Sequence, residues 1–85
     1  MSVYVDNMQA AYRRMKMCHM IADTEDELHA MADTIGVARK WVQKARCGIV
    51  HYDICLSKRA LAVKAGAIEI GRRELVEKMN EARDG

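Results

Sequence analysis

Proline and phenylalanine are both absent from this chain, and its aromatic side chains are one tryptophan and three tyrosines. Without phenylalanine, the core must be packed with Met, Ile, Leu, Val and Ala around Trp41, and seven methionines are available for it. Met15, Met17 and Met20 are accordingly read as gap-filling core residues and not as cofactor ligands. No apolar run approaches the roughly 18 residues of a membrane span, so the chain is not expected to cross a bilayer. The opening MSVYVDN lacks the basic start, apolar stretch and small-residue cleavage site of a secretion signal. Three cysteines, Cys18, Cys47 and Cys55, are too few and odd in number for a disulfide framework, which points to reduced thiols in a cytoplasm. The glycines at 36, 48, 66, 71 and 85 never cluster, which excludes a glycine-rich phosphate loop. Serine-nucleophile motifs and CxxC or HxxxH pairs are missing too.

What is present reads as one small α/β domain over residues 1–85, with 51% apolar and 31% charged side chains. A chain of this length has a net stability of roughly 5 to 10 kcal/mol, so a homo-oligomer is expected to supply further burial. Val3 to Asp6 alternates apolar and polar residues at the period of a half-buried strand. Met8 to Lys16 has no clean period and reads as a loop or short helix. Met17 to Ala22 reads as a second strand, with His19 and Ile21 on one face and Cys18, Met20 and Ala22 on the other.

Thr24 followed three residues later by Glu27 is a capping box, and the acids at 25 to 27 suit the positive end of a helix dipole. A helix therefore starts at Glu25. It buries Leu28, Met31, Ala32 and Ile35, and ends at Gly36. Val37 to Gln43 reads as a third strand. Cys47 to Ile54 carries His51-Tyr52-Asp53 to a strand end, where Ser57 caps a helix over Lys58 to Ala65 that stops at Gly66. A brief edge strand, Ala67 to Ile70, precedes a last helix with Leu75, Val76, Met79 and Ala82 on its apolar face. The resulting order is ββαβαβα, with helices packed on a short, mainly parallel sheet.

Charge is uneven along the chain. Residues 1–38 hold three basic and six acidic groups, residues 39–73 nine and two, and residues 74–85 two and four. Arg39, Lys40, Lys44, Arg46, Lys58, Arg59, Lys64, Arg72 and Arg73 could form an anion-binding surface if the fold gathers them; otherwise they are a solvated face.

Asp6, His19, Asp23, His29, His51 and Asp53 lie at or near expected strand ends, where open α/β sheets build their sites. His29 can pair along its helix or look toward the second strand. His51 and Asp53 are two residues apart, so on an extended segment both point to one side, as a carboxylate orienting an imidazole or as two metal ligands. The bland alternative makes Asp53 a cap and ties His51 to backbone. A zinc set of Cys47 and His51, completed by Cys18 with His19 or Cys55, has only loose support from spacing.

The run CHMIADTEDELHAMADTIGVARKW, preceded by VYVDN and followed by HYDICLSKRALAVKAGAIEI, resembles the short bacterial and phage proteins grouped as domain of unknown function 4031. The resemblance spans about residues 3–70 and rests on His19, Asp23, Glu27-Leu28-His29, His51-Tyr52-Asp53 and Gly66-Ala67. It implies a phage protein or a bacterial one, in the cytoplasm of a bacterial cell, and supplies no activity. Cys47 and Cys55 fall outside the pattern.

Three functions compete. The first is a binding module for an anionic, phosphate-bearing small molecule such as a nucleotide, which it would sequester without breaking. Arg39, Lys58 and Arg59 would hold phosphate, and Trp41, His51 and Asp53 would contact base or ribose. The second is a metal-assisted phosphoester hydrolase. Its catalytic candidates are His51, Asp53, His19 and Asp23, and its metal candidates are Asp6, His19, His51 and Asp53. Shared ligation requires His19, His51 and Asp53 to lie within about 8 Å of one another, since ligand bonds are near 2 Å. The third is a protein or nucleic-acid interaction module, for which one Trp and three Tyr give few stacking platforms. No cofactor is identified by any motif.

Overall fold

The computed structural model describes residues 2–7, 10–12, 15–44 and 49–84. Strands β1 (Val3–Val5), β2 (Ala10–Tyr12) and β3 (Met15–Ala22) precede helix α1 (Glu25–Ile35). A single 3-10 turn, Arg39–Trp41, leads to β4 (Gln43–Lys44) and β5 (Val50–Cys55). Helix α2 (Leu56–Lys64), strand β6 (Ile68–Glu69) and helix α3 (Arg72–Asp84) complete the fold. No helix among the described residues is long and apolar enough to cross a membrane.

The strands lie in the order β4-β5-β3-β1-β6, with β2 also paired to β3. The sheet is mixed, not mainly parallel: β3 is antiparallel to β1, β2 and β5, β4 is antiparallel to β5, and β1 with β6 is a parallel pair. Two segments account for the departure from the expected order. Ala10–Tyr12 is a strand where a loop or helix was expected, and three residues are too short for an alternation to show. Val37 to Gln43 is not a continuous strand, because Arg39 clamps Asp33 through Nε (3.1 Å) and Nη2 (2.7 Å) and folds the segment back on the last turn of α1. Pairing resumes only at Gln43. The βαβ unit that does form is β5–α2–β6, which crosses over β3 and β1 to reach the far edge.

Helix α1 forms as its capping box requires. Thr24 Oγ1 accepts from the Glu27 N–H at 3.2 Å and donates to Glu27 Oε1 at 2.9 Å. It ends at Gly36, in the left-handed region at φ 79°, with Val37 N–H bonded to Ala32 C=O and Gly36 N–H to Asp33 C=O. α2 ends in the same way: Gly66 sits at φ 111°, and Ala67 N–H bonds Ala62 C=O. The start of α2 differs from expectation. Cys55 is its N-cap and Ser57 lies inside the first turn, because β5 runs into the helix without a loop.

One face of the sheet packs against α1 and α2. Val3, Val5, Cys18, Met20, Tyr52 and Ile54 meet Leu28, Ala32, Ile35, Ala62 and Ala67 there in one buried cluster. Each Val, Leu, Ile or Met side chain among them contributes about 1.5–3 kcal/mol by leaving water. The opposite face carries a smaller cluster, in which Ile70 and Leu75, leading into and on α3, cover Tyr4 and Ile21. Val76, expected on the buried side of α3, is exposed. Trp41, expected at the centre of the core, is 60% exposed in its 3-10 turn, and Tyr52 takes the buried aromatic role instead.

Candidate metal centre

Beyond Tyr4 and Ile21, the second face carries polar groups. Asp53 lies opposite His19 across the β3–β5 pair, and Gln43 lies opposite His51 across the β4–β5 pair. Strand alternation therefore puts Gln43, His51, Asp53 and His19 on one side, while Tyr52 and Ile54 enter the core on the other. Asp6 follows β1 on the same side as Tyr4.

The ladder between β1 and β3 changes character at Asp6. Its N–H donates to the His19 carbonyl at 3.1 Å, as a paired residue should. The return bond, however, goes from the His19 N–H to the Asp6 side chain, Oδ1, at 2.8 Å. The Asp6 carbonyl, freed from the ladder, accepts from Arg59 Nε at 2.8 Å, and Arg59 Nη1 holds Glu69 at 2.9 Å. The carboxylate thus closes the ladder and stays buried, with 1% of its side chain exposed. Its second oxygen lies 2.9 Å from His19 Nδ1. A carboxylate only accepts, so Nδ1 carries a proton, and in the neutral ring Nε2 is the nitrogen left to ligate.

Nε2 faces Asp53. His19 Nε2 and His51 Nε2 each lie 3.6 Å from the same oxygen, Asp53 Oδ1. One ligand atom from each of His19, His51 and Asp53 falls within 4.8 Å of the others. A tetrahedral ion with bonds of about 2.0–2.2 Å holds neighbouring ligand atoms roughly 3.3–3.6 Å apart, so the two spacings to Asp53 Oδ1 suit such an ion, and the set as a whole, within 4.8 Å, would tighten around it. Asp53 Oδ1 and His51 Nδ1 are buried atoms with no hydrogen-bond partner among the described residues. A buried acceptor left unsatisfied costs about 1–3 kcal/mol, and a cation at this point would satisfy Oδ1. The other carboxylate oxygen, Oδ2, accepts from Gln43 Nε2 at 3.0 Å. Side-chain exposures of 28% for His19, 12% for His51 and 35% for Asp53 leave the cluster reachable from solvent.

The residues expected to form a site are divided by the fold. His19, His51 and Asp53 come together, with Asp6 behind His19. Asp53 is no cap, since Cys55 occupies that position. Asp23 lies four residues past His19, roughly 13 Å along an extended chain. It is occupied by the Ser2 N–H at 2.8 Å and the Tyr4 hydroxyl at 3.3 Å. His29 faces the packed side of the sheet, where its Nδ1 lies 2.6 Å from the Tyr52 hydroxyl and its Nε2 3.3 Å from Glu25.

The basic side chains expected to hold phosphate are engaged elsewhere. Arg39 is paired with Asp33, and Arg59 spans the Asp6 carbonyl and Glu69. Lys58 Nζ sits at the end of α1, 3.2 Å from where a Cβ on Gly36 would lie. The Lys40 ammonium lies 5.1 Å from the Trp41 ring centroid.

The cysteine-zinc set is not assembled. Cys18 is buried on the opposite face, Cys55 bonds Ser57 at 3.1 Å, and Cys47 lies outside the described residues. Burial, with Asp6 second, pushes the Cys18 thiol up to about 11. The Ser57 hydroxyl and then the Lys58 N–H in the first turn of α2 hold the Cys55 thiol below its ordinary value. Gln43 escaped the sequence reading altogether. Its only signal was its place on the far side of a hairpin from His51, which cannot be read without the register.

Residues 3–82 match the family described as Protein of unknown function (DUF4031), and the chain belongs to that family. No curated protein and no solved structure matches the chain.

Proposed function

We propose that this DUF4031 protein binds a divalent metal ion through His19, His51 and Asp53 and uses it to hydrolyse a phosphoester. The observation that carries the reading is the single oxygen, Asp53 Oδ1, lying 3.6 Å from two imidazole nitrogens and lacking a hydrogen bond among the described residues. Three protein ligands on a solvent-reachable face leave positions for water and substrate, the arrangement of catalytic rather than structural metal sites. Asp6 supplies the carboxylate–histidine support that fixes a ligating tautomer.

The electrostatics favour this reading over direct phosphate capture by basic side chains. Asp6 and Asp53 flank His19 on its two nitrogens, and Arg59 is already shared with Glu69. A bare phosphate would meet two carboxylates there, whereas a dication with two neutral imidazoles and the Asp53 carboxylate would carry a net positive charge over its own ligands, with Asp6 behind His19 offsetting it from the far side, and would offer an anionic ester a direct bond. Such an ion would supply a bound water of lowered pKa and polarise the phosphoryl oxygen. The protein's part is to hold three ligand atoms and to orient His19.

The test is titration of chelator-treated protein with Zn²⁺, Co²⁺ and Mn²⁺ by calorimetry, followed by turnover of nitrophenyl phosphate mono- and diesters and a nucleotide panel. One ion per chain is expected at micromolar affinity or better. Turnover should be lost with chelator and restored by the ion. His51→Ala and Asp53→Ala should each weaken binding by at least about a hundredfold, or roughly 2.7 kcal/mol. Absence of binding by all three ions at high micromolar concentration would refute the metal centre. Binding without turnover on any ester would refute hydrolysis and leave metal-bridged anion binding.

A further inference from the structure

We infer that Gln43 decides which ions the site accepts, by holding Asp53 to a single ligand oxygen. The inference rests on the metal reading above and adds its coordination number. β4 is only two residues long, yet its pairing with β5 puts Gln43 directly across from His51. From there the side chain passes along the same face to Asp53, and its amide nitrogen donates to Oδ2 at 3.0 Å. The two carboxylate oxygens consequently have different tasks. Oδ2 is occupied by the amide, while Oδ1 points to the space between His19 Nε2 and His51 Nε2, 3.6 Å from each.

A carboxylate free of such a bond can turn to offer both oxygens to an ion, which raises the coordination number. Held by Gln43, Asp53 offers one. Two imidazole nitrogens, one carboxylate oxygen and one water then make four ligands, a set that suits Zn²⁺ and Co²⁺. Mg²⁺ and Ca²⁺ prefer six or more oxygen ligands, and two imidazole nitrogens suit them poorly. Gln43 is therefore a specificity-determining residue that touches neither the ion nor substrate. Because its side chain is exposed, the amide acts chiefly on the geometry of Asp53, and its effect on affinity belongs at the lower end of what such supporting groups give.

Cobalt(II) reports the coordination number directly, since four-coordinate sites absorb intensely in the visible and six-coordinate sites weakly. The chelator-treated protein, loaded with Co²⁺, should give the intense band. Gln43→Ala and Gln43→Leu, the second chosen to keep a bulky side chain on the strand, should weaken and blue-shift it. Both should bind Zn²⁺ about tenfold less tightly and narrow the preference for Zn²⁺ over Mn²⁺ by a similar factor. Circular dichroism on the apo forms checks that the fold is retained. A wild-type spectrum of the weak, six-coordinate kind would overturn the inference. So would folded variants with unchanged spectra and an unchanged Zn²⁺ to Mn²⁺ ratio, and in both cases the metal centre itself would stand. Failure of the wild-type protein to bind Co²⁺ or Zn²⁺ at all would instead remove the reading on which the inference rests.

Discussion

The two faces of the sheet are made from the same strands and answer to different demands. On β5, His51 and Asp53 look outward while Tyr52 and Ile54 look inward, so site and core alternate residue by residue. The inner face is complete: its apolar groups meet two helices, and its buried hydroxyl, on Tyr52, has His29 as partner. The outer face is complete only over Tyr4 and Ile21; beyond them it holds a buried oxygen without a hydrogen-bond partner among the described residues. Stability is concentrated on one side, and groups left incompletely satisfied on the other. Such groups are costly in a resting fold and useful when a ligand completes them.

Substitution at adjacent positions of β5 should break that symmetry most visibly. Tyr52→Ala removes a fully buried ring and its bond to His29, and should cost about 3–5 kcal/mol in urea melts of the apo protein, a large share of the stability of a domain this size. Asp53→Asn, one residue away, should leave apo stability unchanged or slightly higher, since it removes a charge and not a contact of the core. Equal losses at both positions would mean that the outer face is structural too.

A smaller effect is expected at Asp6, which belongs to both demands. Asp6→Asn keeps an oxygen to accept from the His19 N–H, but its amide would donate to His19 Nδ1 and drive the proton to Nε2. Metal affinity should fall about tenfold or more, with a stability loss near 1 kcal/mol. Nitrogen NMR of the His19 ring reads the tautomer directly, and an unchanged tautomer with unchanged affinity would show that Asp6 serves the ladder alone.

The smallest expected difference compares the faces through their thiols. At pH 8, Cys55 should react with iodoacetamide at least about tenfold faster than Cys18, because reactivity follows the thiolate fraction and access. Burial pushes the Cys18 thiol up to about 11, and Ser57 holds that of Cys55 down. Peptide-resolved mass spectrometry over time separates the two, and similar rates would indicate that the inner face opens readily.

The parts of the fold legible in the sequence were those specified locally. The Thr24 cap, the Gly36 and Gly66 stops and the alternation of His19 against Cys18 and Met20 need only neighbouring residues to be read. The His51 and Asp53 pair was legible for the same reason, since it needs only an extended strand. What escaped was set by partners distant in sequence or by competing local bonds. Arg39 bonding Asp33 turned an expected strand into a 3-10 turn, and the antiparallel register of β3 with β5 brought His19 to Asp53. Three of the basic residues are held by partners that the sequence does not reveal: Arg39 by Asp33, Arg59 by the Asp6 carbonyl and Glu69, and Lys58 against the end of α1.

The split origin of the three ligands bears on the order in which the chain folds. His51 and Asp53 travel together on one strand, but His19 belongs to another, and 31 residues of chain lie between it and His51. The bond between Asp6 and His19 closes a short loop and can form early, whereas docking β5 on β3 must await a much longer closure and is intrinsically slower. An ion at this site would tie β3 to β5 only after that docking. It would thus act as a late clasp, leaving the folding rate nearly unchanged and slowing the rate at which the sheet comes apart.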